Sequence, residues 1–330
     1  MTVARIRRSS QPITIYRSNR ARTGWLGAVV FLLVTLCVLS VSLGTREVPW
    51  PDIVAALRGH MDTIGQAAVA MRIPRTLLAL LAGAALGLAG AIMQGITRNP
   101  LADPGILGVN MGASLAVVIG VAWFNIVSAP AYIWAAIFGA GCAAVFVYMV
   151  GSLGRGGATP LKLALAGAAT SVAFSSLVIA IVLPPRNDIA GGIRAWQIGG
   201  VGGATFLSRL AYVLPFLAVG FVVSFLSARK LNSLALGDEL AAGLGEKVAI
   251  ARAVAALGAI LLCGATTAIC GPIGFVGLVV PHICRLLVGS ITAGYCHSRP
   301  SAEPASCLLQ ILPDASLPAL PNSMSGSSPP

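Results

Sequence analysis

Two arginines three residues apart, Arg72 and Arg75 in MRIPRTLL, stand just ahead of a long apolar run and offer a pair of cations. At a membrane boundary such a pair either anchors the run at headgroup level or meets carboxylates on another protein. A second chemistry-bearing stretch is LNSLALGDELAAGLGEK, residues 231–247, in which Leu236, Leu240 and Leu244 recur every four residues. Asp238 and Glu239 follow Gly237, where a helix N-terminus favours negative charge, and Gly243 and Gly245 close the segment. The pattern is a short helix with an apolar stripe, suited either to lie on a membrane surface or to dock on a partner.

Catalysis finds no comparable constellation. The three histidines, His60, His282 and His297, are scattered and make no ligand pair, and the seven cysteines show no C-x-x-C spacing. No G-x-x-x-x-G-K-[ST] phosphate loop occurs, and the glycine clusters at 154–157 and 199–203 fail the G-x-G-x-x-G spacing. We therefore assign no catalytic, metal-ligating or cofactor-binding residue and read the chain as a non-enzyme.

The elements that must position these residues are set by composition. The chain of 330 residues is 57% hydrophobic and 10% charged, with mean hydropathy +0.88, which is outside the range of soluble domains. A net charge of +12 raises nucleic acid as a ligand, but the basic residues sit at the edges of apolar runs without interleaved stacking aromatics, so the charge reads as membrane topology. Runs long enough for a bilayer cover 25–43, 76–93, 106–123, 131–153, 163–183, 210–226 and 248–270, with a weaker eighth at 273–288 that contains Pro281, His282 and Arg285.

With the N-terminus inside, the inner segments carry more Lys and Arg than the outer ones, as the positive-inside rule prefers. The run at 25–43 is too long for a signal-peptide core and lacks an A-x-A-like cleavage site, so it is expected to be retained. Asp103-Pro104 reads as a helix cap and first helical position, which starts the third span at about Gly105. Steps of small residues such as Gly83 and Gly87 indicate close helix packing. All ten acidic residues lie outside the apolar runs, which lowers the prospect of an ion-coupled secondary transporter, since that class commonly uses buried carboxylates. It stays as the runner-up from another class.

Five stretches in order carry a resemblance to the FecCD family of permeases of ATP-binding-cassette importers: 72–118 (RIPRTLLALLAGAALGLAGAIMQGITRNPLADPGILGVNMGASLAVV), 163–177 (LALAGAATSVAFSSL), 196–206 (WQIGGVGGATF), 231–248 and 271–289 (GPIGFVGLVVPHICRLLVG). The likeness runs from about Trp25 to Gly289. It implies an all-α polytopic permease with about eight of the ten helices of that fold. The expected cargo is a ferric siderophore, with haem or cobalamin as alternatives.

The resemblance also assigns residues. Arg72 and Arg75 would meet acidic residues of an extracytoplasmic binding protein. Leu236, Gly237, Asp238, Glu239, Leu240 and Gly245 would belong to the coupling segment seated on a cytoplasmic ATP-binding subunit, present in two copies. Ala166, Gly167, Thr170 and Ser171 would face the translocation path beside a second permease subunit. Residues 191–204 would form a short outer helix. The expected organisation is a basic cytoplasmic N-terminus (1–23), a transmembrane domain (24–289) in the cytoplasmic membrane, and a Pro- and Ser-rich tail (290–330) without fixed structure. That tail departs from the family, whose members continue with two more helices. A shifted reading frame is the expected cause, and an inactive protein is among the expectations.

Overall fold

The computed structural model describes residues 19–44, 48–105, 107–126, 128–154, 159–182, 189–203 and 207–288. The expected tail and most of the basic N-terminus lie outside them. The described chain is helical: α1 (Asn19–Ser42), α2 (Trp50–Leu57), α3 (Ile64–Thr97), α4 (Val109–Phe124), α5 (Ala129–Ser152), α6 (Pro160–Val182), α7 (Ile189–Gln197), α8 (Leu207–Ala235), α9 (Asp238–Gly243), α10 (Val248–Cys270) and α11 (Val276–Val288), with one 3-10 turn at Val201–Gly203. Six of these are long and apolar enough to cross a membrane: Thr23–Ser42, Ile64–Thr97, Pro130–Ser152, Leu161–Val182, Leu210–Ala235 and Val248–Cys270. The expected third and eighth spans appear as shorter apolar helices, Val109–Phe124 and Val276–Leu287.

Helix α3 starts well before the apolar run at 76–93. Thr63 and Gln66 form a capping box, the hydroxyl accepting from Gln66 N while the amide oxygen accepts from the Thr63 backbone. Its 34 residues span about 51 Å at 1.5 Å per residue, against roughly 30 Å of hydrocarbon. The extra turns stand clear of the apolar layer. There α2 covers them, with Ile53, Ala56 and Val69 forming a small buried cluster against Val41, Val48 and Ile73. Arg72 and Arg75 consequently lie within a continuous helix that runs through Pro74, and not ahead of it.

The third span starts four residues later than the Asp103-Pro104 signal predicts. Asp103 Oδ2 does accept from Gly105 N at 2.9 Å, but only one turn follows before Gly108, at φ +78, breaks it and becomes the N-cap of α4. The turn folds back into the bundle, so Asp103 is only 5% exposed. Asp103 lies outside the apolar runs, as the sequence indicates, yet packing buries it against α11. Irregular backbone at this depth is tolerated because protein surrounds it.

The doubtful eighth span is a helix because α3 satisfies its charge. Arg285 Nη1 donates to Gln94 Oε1 at 2.6 Å, and Gln94, fully buried, donates through Nε2 to Gly277 O at 3.4 Å. Arg285 is only partly buried, and the amide oxygen lowers part of the penalty for an arginine among apolar helices.

Helices α3 and α10 form the centre, with α4, α5, α8 and α11 around them. Backbones approach where side chains vanish. A Cβ on Gly90 would overlap the Gly277 peptide, and one on Gly112 would lie 2.7 Å from Gly139 O. Of the two small residues noted in the sequence, Gly87 packs against Val280, while a Cβ on Gly83 would meet nothing within 4 Å.

Candidate functional site

Where α8 ends, Gly237 takes φ +121 and ψ 152, a conformation open to glycine, and redirects the chain into α9. Asp238 and Glu239 occupy its first turn, and Gly245, at φ +86, turns the chain toward α10. Ala241 faces inward and is fully buried. The leucine stripe faces out: Leu236, Leu240 and Leu244 are 42%, 57% and 67% exposed. Leu240 within α9 and Leu236 and Leu244 on either side of it thus present three exposed leucines at one end of the bundle.

Asp238 is exposed as well, with 47% of its side chain accessible. Its carboxylate is gripped by Arg98 and by Arg252, whose Nη2 donates to Oδ1 at 2.8 Å and Oδ2 at 3.1 Å. Arg98 is the left-handed C-cap of α3, at φ +50, and its Nε donates to Leu234 O at 2.9 Å near the end of α8. Sequence reading had counted both arginines only as topology charges. Their position beside the 231–247 segment could not be anticipated, since Arg98 and Asp238 are 140 residues apart.

At the opposite end of α3, the Arg72 and Arg75 pair divides. Arg72 Nη1 donates to Val41 O and Ser42 O, both at 3.1 Å, so it neutralises the carbonyl end of α1. Gly44 leaves it room, because a Cβ there would overlap the guanidinium. Arg75 is exposed.

The four α6 residues lie along a seam inside the protomer. Gly167 and Thr170 are buried, Thr170 Oγ1 donates to Ala166 O at 2.7 Å, and Ser171 Oγ donates to Gly105 O at 3.2 Å. The hydroxyls are thus turned to backbone acceptors in α6 and in the 103–108 turn. The adjoining stripe of α6, Leu165, Ala168, Ala169, Val172 and Ser176, is exposed. Among the described residues no three His, Cys, Asp or Glu side chains gather at a position that could hold a metal ion.

The outer-helix stretch is also placed. Trp196, at the end of α7, donates its Nε1 to Ala268 O at 3.1 Å, and Gly200 N donates to Cys270 O at 2.7 Å. This seats residues 196–200 on the C-terminal end of α10, opposite the end that meets α9.

Comparison with known proteins gives one answer. The FecCD transport family matches residues 32–295. The ferric enterobactin transport system permease protein FepD of Escherichia coli (strain K12) is 41% identical over 263 residues, 79% of this chain and 78% of that one. The iron(3+)-hydroxamate import system permease protein FhuB of Bacillus subtilis (strain 168) is 41% identical over 271 residues, 80% of this chain and 70% of that one. Among solved structures, a metal-chelate type ABC transporter in an inward-facing conformation matches with a TM-score of 0.62 and 27% identity, over 88% of this chain and 87% of that chain.

Proposed function

Because the chain belongs to the FecCD transport family, we propose that it is the membrane-spanning permease subunit of an ATP-binding-cassette importer that carries ferric siderophores across the cytoplasmic membrane, with its N-terminus inside. The observation that carries this reading is the α9 segment, a six-residue helix whose Leu240, with Leu236 before it and Leu244 after it, faces outward at the end of a bundle of membrane-length helices. A helix buried for its own fold would turn its leucines inward. One presenting them beside a fixed acidic end is built to be covered by a partner.

In this reading a cytoplasmic ATP-binding subunit covers Leu236, Leu240 and Leu244, and Glu239 lies at the rim. A second permease subunit faces α6, whose exposed small residues allow close approach, with Gly167, Thr170 and Ser171 shaping the wall behind. Arg75 meets a carboxylate of an extracytoplasmic binding protein while Arg72 holds α1 to α3. Closing and opening of two ATP-binding subunits would swing the permeases as rigid bodies and expose the path to each side in turn.

The test is uptake of a radioiron siderophore by cells carrying this chain with its neighbouring ATPase and binding-protein genes. Uptake is expected to require ATP hydrolysis and to persist with an uncoupler. Loss with the uncoupler alone would favour ion coupling, and preferential uptake of haem or cobalamin would move the cargo. Leu240→Asp is expected to lower retention of the ATP-binding subunit on the purified permease about tenfold, the size of one lost apolar anchor. Arg75→Glu is expected to weaken binding-protein capture several-fold, measured by surface plasmon resonance, with a smaller loss at high salt.

A further inference from the structure

Helix α9 is too small to hold its own orientation. Its six residues make less than two turns, far below the length at which a helix is stable alone, and Ala241 is its one buried side chain. Both of its joints, Gly237 and Gly245, have positive φ, so neither is stiffened by a Cβ. Yet a docking helix that passes movement to a membrane bundle has to be fixed to that bundle.

The fixing group is Asp238. It stands at the first position of α9, where its charge also favours the helix N-terminus. It is bonded by two guanidinium groups from different core helices. Arg98 ties it to the end of α3 and, through Leu234 O, to the end of α8. Arg252, in the second turn of α10, ties it to the helix whose far end seats Trp196 and Gly200. Four helices thus meet at one carboxylate, and the bonds are charge-assisted with fixed direction.

We infer that Asp238, with Arg98 and Arg252, is a brace that makes α9 a lever arm on α3 and α10. Asp238 is therefore a positioning residue for transport and does not itself contact the ATP-binding subunit. The inference rests on the docking role of α9 proposed above. A push on the leucine stripe then displaces α3 and α10 together, and α10 carries it to the opposite end of the bundle. Without the brace α9 still docks, but it turns on its two glycine joints and the push is lost.

Asp238→Asn removes the charge at constant size. In the purified complex it is expected to keep the ATP-binding subunit bound and to lower siderophore moved per ATP hydrolysed about fivefold. In the chain purified alone in detergent, tryptic cleavage after exposed Lys247 is expected to run on the order of tenfold faster, as expected for the loss of two charge-assisted bonds. Asp238→Glu should restore most of both. Unchanged cleavage, unchanged transport per ATP, or loss of the ATP-binding subunit from D238N would each overturn the brace; the last would make Asp238 part of the docking surface. Retention of the ATP-binding subunit by L240D would instead overturn the docking reading, while the cleavage rates still report on the brace. If D238N is not recovered from membranes, R252Q is put through the same two assays, and wild-type values in both overturn the inference.

Discussion

Gly90→Leu is expected to leave little folded protein in the membrane, with the monodisperse fraction after detergent extraction falling by more than tenfold. The reason is the kind of atom the new side chain meets. A Cβ on Gly90 overlaps the peptide unit of Gly277, which cannot rotate out of the way as a side-chain tip could. Relief requires α11 to move off α3 as a body. That would break the Gln94 bond to Gly277 O and strain the seat of Arg285 on Gln94. It would also open the contact of Gly277 with Asp103 and Pro104, so the 103–108 turn loses its cover. Overpacking in a well-filled core costs about 1–3 kcal/mol, and the loss of the Gln94 hydrogen bonds adds about 1 kcal/mol each. Gly83→Leu, at a position with open space around it, is the matched control and should extract normally. Size-exclusion profiles of both variants check the contrast.

Trp196→Ala is expected to cost about 3 kcal/mol, the usual range for truncating a large aromatic that packs on a core. Trp196 is half-buried against the main cluster, and its indole N–H caps Ala268 O at the end of α10. Truncation removes both contributions. The chain at Gly199 and Gly200 then loses one of its anchors, while the bond from Gly200 N to Cys270 O and the packing of Val201 remain. A cysteine-accessibility assay on Cys270, which is 1% exposed, is expected to report faster labelling in W196A. Trp196→Phe keeps one aromatic ring but loses the pyrrole half of the indole together with its N–H. It should cost more than one hydrogen bond, about 1 kcal/mol, but less than W196A, and label at a rate between wild type and W196A.

These two positions show how differently the parts of the molecule were written in the sequence. Membrane-length helices are legible because insertion free energy sums over neighbouring residues, so a window of hydropathy is close to the physical quantity. Helix α9 was legible for a related reason: a four-residue leucine period between glycines is local. The start of α3 was missed because a capping box and the cover of α2, not hydropathy, set it at Ile64. The start of α4 was misplaced because Gly108 interrupts the turn that Asp103 begins. The burial of Asp103 was not legible, since nothing local says that a polar turn folds into the bundle.

The sequence by itself determined that the described chain is a bundle of apolar helices, that catalysis has no constellation in it, and which family the ordered motifs resemble. Tertiary structure alone decided the partners of the charges. Arg285 is tolerable in α11 because Gln94, 191 residues away, faces it. Arg72 is spent on the carbonyls of α1, which leaves Arg75 as the exposed cation. Asp238, though exposed, is held by Arg98 and Arg252. Hydropathy and period are properties of residues along the chain, whereas the environment of a charge depends on which distant groups the packed helices bring within about 3 Å of it. That proximity exists only once the bundle has formed.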